Sequence, residues 1–174
     1  MDFILADEGF DKFIKRIKSL GFINDPFELT KIDSLILKNK EDLDKFTNLL
    51  STQIKINKMK LLYRSSRDGL KLSDLRDKIN NKSNLIFLLL TGNTRIFGCH
   101  IKSKIEVKNE TYVKDKDAFV FCLNKNKIYK ILIPENAIYF VEDYPILIGN
   151  SWNGNGFFIY SEEVNEYLLT NPRI

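Results

Sequence analysis

The sequence predicts an α+β chain built on an antiparallel two-sheet β-sandwich with flanking helices. Three observations predict it. From Leu61 onward, short β-prone runs alternate with turn signals, as in a sandwich of many short strands. No regular strand–helix–strand alternation interrupts them, which argues against a parallel doubly wound sheet. The run Leu85–Leu90 is apolar throughout, so its strand should be covered on both faces.

The elements follow in order. Phe3, Ala6, Phe10, Phe13, Ile14, Ile17 and Leu20 form one stripe at helical spacing, so an amphipathic helix is expected over residues 3–20. Lys12, Lys15, Arg16 and Lys18 lie off the stripe, toward the end where cations suit the helix dipole. Gly21 is a stop signal and Asn24-Asp25-Pro26 a turn. Residues 1–32 therefore read as an N-terminal helical extension, packed on its own domain or offered to a partner or membrane surface. Residues 33–174 read as the main domain.

A short apolar run at Leu35–Leu37 precedes a helix over Glu41–Leu50, opened by Asn39 or Lys40, with Leu43, Phe46, Leu49 and Leu50 on one side. A strand begins at Leu61. The next helix should run from Ser73 to Asn80, with Ser73 as its N-cap and Leu72, Leu75 and Ile79 inside. Leu85–Thr91 and Arg95–Ile101 then make a hairpin across Gly92-Asn93, read as a two-residue turn. Strands follow at Asp117–Leu123, Lys127–Ile133, Ala137–Val141, Ile146–Ile148 and Phe157–Tyr160, and a last helix at Glu162–Leu169 capped by Ser161.

A chain of 174 residues buries roughly 70% of its unfolded surface and needs no metal or disulfide staple. The longest apolar run is too short to span a bilayer. The acidic start, MDFILADEGF, lacks the basic region and cleavage site of a secretory signal. Cys99 and Cys122 have neither CxxC nor Cys/His ligand spacing, so no metal site or disulfide framework is expected. Two free thiols without a signal fit a reducing, cytoplasmic compartment. The net charge of +4 and pI near 8.9 suggest a polyanion partner only weakly. Lys, Asn and Ile are inflated together, and the lysines are scattered among carboxylates rather than blocked.

One ordered set of residues is more specific. Leu62-Tyr63-Arg64-Ser65-Ser66-Arg67-Asp68-Gly69 is followed by the helix from Leu72, the strand Leu85–Leu90 and the step Phe97-Gly98. Asp117-Ala118-Phe119-Val120-Phe121-Cys122-Leu123, Ala137-Ile138-Tyr139, Pro145…Gly149 and Gly156-Phe157-Phe158-Ile159-Tyr160 come later in the same order. Over about residues 33–160 this resembles the TLDc domain of the oxidation-resistance protein family. The resemblance implies a TLDc-like sandwich acting as a non-enzymatic interaction module. Such proteins protect cells from oxidative damage, and several bind the peripheral sector of the vacuolar proton pump to control its assembly. The chain departs from the pattern where Leu75-Arg76-Asp77-Lys78-Ile79-Asn80-Asn81 stands for Phe-His-x-x-Cys-Asp-Asn, and Phe97-Gly98-Cys99-His100 for Phe-Gly-Gly-Tyr. The family's closing strand, rich in Phe, Val and Glu, has no counterpart before Ile174. Either the N-terminal segment substitutes for it, or this copy is degenerate or shortened.

Candidate contacts lie in two loops: Tyr63, Arg64, Ser66, Arg67, Asp68 and Gly69 in one, Gly149, Trp152, Gly154 and Gly156 in the other. Loops on a rigid scaffold are the usual place for such contacts. Ser, Asp and Gly in the first also suit a turn that simply fixes architecture. An alternative reading is nucleic-acid binding through Lys55, Lys58, Lys60, Arg64 and Arg67, with Tyr63 stacking on a base. Chemistry is poorly supported. His100, the single histidine, is adjacent to Cys99, and strand neighbours point to opposite faces. Gly149–Gly156 lacks the Lys-Ser/Thr of a phosphate loop. No catalytic residue, cofactor or metal is expected.

Overall fold

The computed structural model describes residues 2–6, 33–56, 59–69, 71–92, 94–108, 110–140, 146–149 and 157–159. Its first sheet holds β1 (Asp2–Ala6), β2 (Met59–Arg64), β3 (Leu85–Leu90), β4 (Ile96–Ile101), β6 (Phe119–Cys122) and β7 (Lys127–Lys130), in the order β2-β1-β3-β4-β6-β7. Its second holds β5 (Thr111–Val113), β8 (Ile138–Phe140), β9 (Ile146–Ile148) and β10 (Phe157–Ile159), in the order β10-β9-β8-β5. Every named strand pair is antiparallel. Helices α1 (Lys40–Ser51), α2 (Ser65–Asp68) and α3 (Leu72–Ile79) complete the described elements, with a 3-10 turn at Pro134–Asn136. The α+β class and the two antiparallel sheets are as expected.

Side-chain alternation on β3 divides the interior in two. Leu85 and Phe87 join Tyr63, Leu75, Ile79, Cys99 and Ile101 against Val113, Ile138, Phe140, Ile146 and Ile148 of the second sheet. Ile86 and Leu88 point the other way, into a cluster with Phe46, Leu49 and Leu50 of α1 and Phe119, Phe121 and Leu123. Residues 85–88 are fully buried, which is why an uninterrupted apolar run was required there. Burying each such side chain contributes about 1.5–3 kcal/mol. The ring of Phe46 sits 5.9 Å from that of Phe121, so α1 is held by aromatic packing.

Local signals placed several elements well. Asn39 caps α1, its Oδ1 accepting from Asp42 N at 2.8 Å. At Gly98 an added Cβ would stand 1.8 Å from the Phe87 carbonyl oxygen, the close backbone approach that a glycine within a strand signals.

Three expectations are corrected. Residues 2–6 are a strand, not the start of a helix, and they pair with both β2 and β3; residues 7–32 lie outside the described residues. The reason is non-local. β2 and β3 are joined through α2 and α3 and do not pair with each other, so their backbone groups need an extended segment between them. A bulge at Leu62 marks the fit, since Phe3 faces Tyr63 while Ile4 faces Leu61. Second, α3 begins at Leu72 with Lys71 at its N-cap and no side-chain cap, so Ser73 falls inside the first turn. Third, the β3–β4 loop is longer than two residues. Thr91 N donates to Arg95 O, Thr94 N donates to Thr91 O, and Thr94 is left-handed with φ 63°; Asn93 is outside the described residues. The short strand β5 had no sequence expectation, and the helix at Glu162–Leu169 lies outside the described residues.

Candidate functional site

The corner that follows β2, Tyr63–Gly69, is the candidate loop whose residues are all described. Tyr63 is only 2% exposed, and its hydroxyl donates to Gly69 O at 2.6 Å. Asp68 Oδ2 accepts from Arg64 N at 2.8 Å, closing the one-turn helix α2 back on the end of β2. The Arg67 guanidinium clamps the same carboxylate, with Nε 3.0 Å from Oδ1 and Nη2 2.6 Å from Oδ2. The Arg67 hydrogen bond is the main reason the Asp68 carboxyl is held down at about 2. Gly69 leaves the turn at φ 111°, where a Cβ would meet Asp74 Oδ2 at 2.2 Å. Arg64 reaches out to Asp33, pairing with its Oδ1 at 3.0 Å and donating to its carbonyl at 2.9 Å.

This geometry sorts the candidates. Tyr63, Asp68 and Gly69 hold the corner together, and the buried Tyr63 ring is closed to base stacking. Burial, followed by the nearby Asp74 and Asp68 charges, raises the Tyr63 phenol above its usual range. Ser66 and Arg67 are exposed on the outer side of the turn, where a partner could reach them. Lys55 and Lys60 are also exposed, and Lys58 is outside the described residues. In the second loop Gly149 is buried, with φ 69° and its N donating to Ala137 O at 3.0 Å. Trp152, Gly154 and Gly156 lie outside the described residues.

Cys99 and His100 are both buried in the fold. Cys99 faces the core between the sheets, where burial raises its thiol well above the usual range. His100 faces the opposite side, its ring 5.1 Å from that of Phe119 and its Nε2 2.9 Å from Asn84 Oδ1. Burial lowers His100 to about 4. The two neighbours therefore do not form a dyad.

Asp115 was missed by sequence reasoning. Although nearly buried, its carboxylate accepts from Lys102 N at 2.6 Å, Ser103 N at 2.9 Å and Asp117 N at 2.9 Å. It ties the exit of β4 to the entrance of β6. The bond to Asp117, two residues on, is an Asx turn that Asp115-Lys116-Asp117 could have signalled. An open pocket of about 440 Å³ lies beside it, lined by both Asp115 and Asp117 and by Lys102, Lys114 and Lys116. A second groove of about 520 Å³ runs between Asp42, Lys45 and Asn48 of α1 and the turn at Asn124 and Asn126. Among the described residues no group of His, Cys, Asp or Glu is placed to hold a metal ion. Among them, too, no helix is long and apolar enough to cross a membrane.

A search of curated proteins finds no match. A family model of the TLDc domain matches residues 31–169, spanning both sheets' later strands, the β2–α3 corner and α1. The resemblance carried by the Leu62–Gly69 turn and the strands after it thus holds over most of the sequence, and the chain belongs to the TLDc domain family.

Proposed function

We propose that this chain is a non-enzymatic protein-interaction module of the cytoplasm. In this reading it is linked to oxidative-stress protection and to regulation of vacuolar proton-pump assembly, through binding of the pump's peripheral sector. The observation that carries the reading is the TLDc family match across residues 31–169. The site geometry supports its non-enzymatic part. The Cys99 thiol is in the core, His100 is buried on the other face, and Asp115 spends its carboxylate on backbone donors. What the corner offers outward is Ser66 and Arg67 on a rigid turn.

Immobilised protein presented with purified peripheral sector tests this directly. The wild-type chain should retain the sector, and Ser66→Trp, which crowds the exposed turn without touching its internal bonds, should retain less. A wild-type chain that retains no pump subunit overturns the proposal.

A further inference from the structure

Among the described residues β7 is an outer edge of the first sheet and pairs only with β6. The bond from Leu123 N to Ile96 O fixes which way the peptide groups point along these strands. In an antiparallel ladder, residues alternate between facing one neighbour and the other. Phe119, Phe121 and Leu123 thus face β4, while Val120 and Cys122 bond to their β7 partners Tyr129 and Lys127. The peptide groups of Ile128 and Lys130 then point away from the sheet, and no backbone partner meets them among the described residues.

This edge carries a single sign of charge. Between Asp117 and Glu135 the chain has Lys125, Lys127 and Lys130 and no carboxylate. All three are exposed, and none joins an ion pair among the described residues. Just beyond them Leu132 is 73% exposed, more than any other large apolar side chain among the described residues, and Ile133 is partly exposed beside it.

Lysines on an open edge discourage pairing with a second copy, because lysine would be set against lysine. The same charges favour a strand of opposite sign. We propose that the β7 edge docks an extended acidic segment of a protein partner as a seventh strand, with an apolar side chain of that segment seated on Leu132 and Ile133. Main-chain bonds to Ile128 and Lys130 supply affinity, and Lys125, Lys127 and Lys130 supply selection. The inference rests on the interaction-module reading and names the chemistry of the partner.

The test uses the full chain and a short labelled peptide of alternating glutamate and valine. Wild-type protein should bind it, with the amide signals of Ile128 and Lys130 shifting and gaining exchange protection. Lys130→Pro should weaken binding about tenfold or more. It should leave the melting temperature nearly unchanged, because that N–H makes no ladder bond and the side chain is exposed. If the proline also lowers stability, the amide map of the wild type still decides. The double reversal Lys127→Glu with Lys130→Glu should switch preference to a lysine–valine peptide. Failure of the wild type to bind the acidic peptide overturns the proposal. So does Lys130→Pro binding as tightly as wild type, or equal competition by single-stranded oligothymidylate, since either makes charge alone sufficient. Pump sector retained equally by wild type and Lys130→Pro rejects the docking edge and leaves the functional reading standing. Acidic peptide bound by a chain that ignores the sector does the reverse.

Discussion

Gly98 and His100 occupy neighbouring positions on the α1-facing side of β4, and each sets a condition that a single substitution exposes. At Gly98 even a methyl group would overlap the Phe87 carbonyl, with Phe121 Cζ only 2.8 Å away. Gly98→Ala must push β3 from β4, and urea unfolding should show a loss of about 3 kcal/mol or more. His100 titrates at about 4 in the fold against 6.5 when free, because burial disfavours the imidazolium. Between those values the unfolded chain binds the proton and the folded chain does not. Stability is therefore full above pH 6.5 and falls as pH drops toward 4, by up to about 3 kcal/mol. His100 is the single histidine, and carboxylates titrate mainly below about pH 5. Urea midpoints should fall between about pH 7 and pH 5 in the wild type and stay level in His100→Gln. At this scale the site was legible where its bonds are local. Ser66, Asp68 and Gly69 read as a turn, whereas the burial of Tyr63 depends on a core cluster assembled from residues far along the chain and left no mark in its neighbours' identities.

At the scale of elements, a cap and a strand illustrate the same division. Asn39 bonds Asp42 N within a few residues, so the start of α1 was readable from composition. Asn39→Ala should lower stability by about 1 kcal/mol in thermal or urea melts. β1 was not readable. Its residues belong to a good helical stripe, yet they lie between β2 and β3, whose unpaired backbone outweighs a weak local propensity. Ile4→Pro removes a donor from that inner strand and should cost about 1–3 kcal/mol, measured as a drop in unfolding midpoint relative to Ile4→Val. An unchanged midpoint would place the N-terminal segment outside the cooperative unit. The β3–β4 loop makes the point at smaller size. Gly92-Asn93 announced a turn correctly, while Thr94 in the left-handed region set its true length.

For the molecule as a whole, the two cores on either side of β3 predict how the thiols report on unfolding. Cys99 lies between the sheets and Cys122 is half-buried on β6. A thiol reagent should label Cys122 in the folded protein, and Cys99 only as fast as the sheets separate. Rapid labelling of both without denaturant would contradict the packing described. By itself, the amino-acid order determined the class, the family, the positions of α1 and most strands, and the two-sided burial of Leu85–Leu90. These depend on periodicity and turn chemistry, which act over a few residues. Only the tertiary structure decided that Asp2–Ala6 fills the gap between β2 and β3, that Asp115 anchors two loops, and that β7 has one strand neighbour among the described residues. Each of those depends on backbone groups far apart in the chain meeting in space, and no local pattern encodes which partner a strand or a buried carboxylate will find.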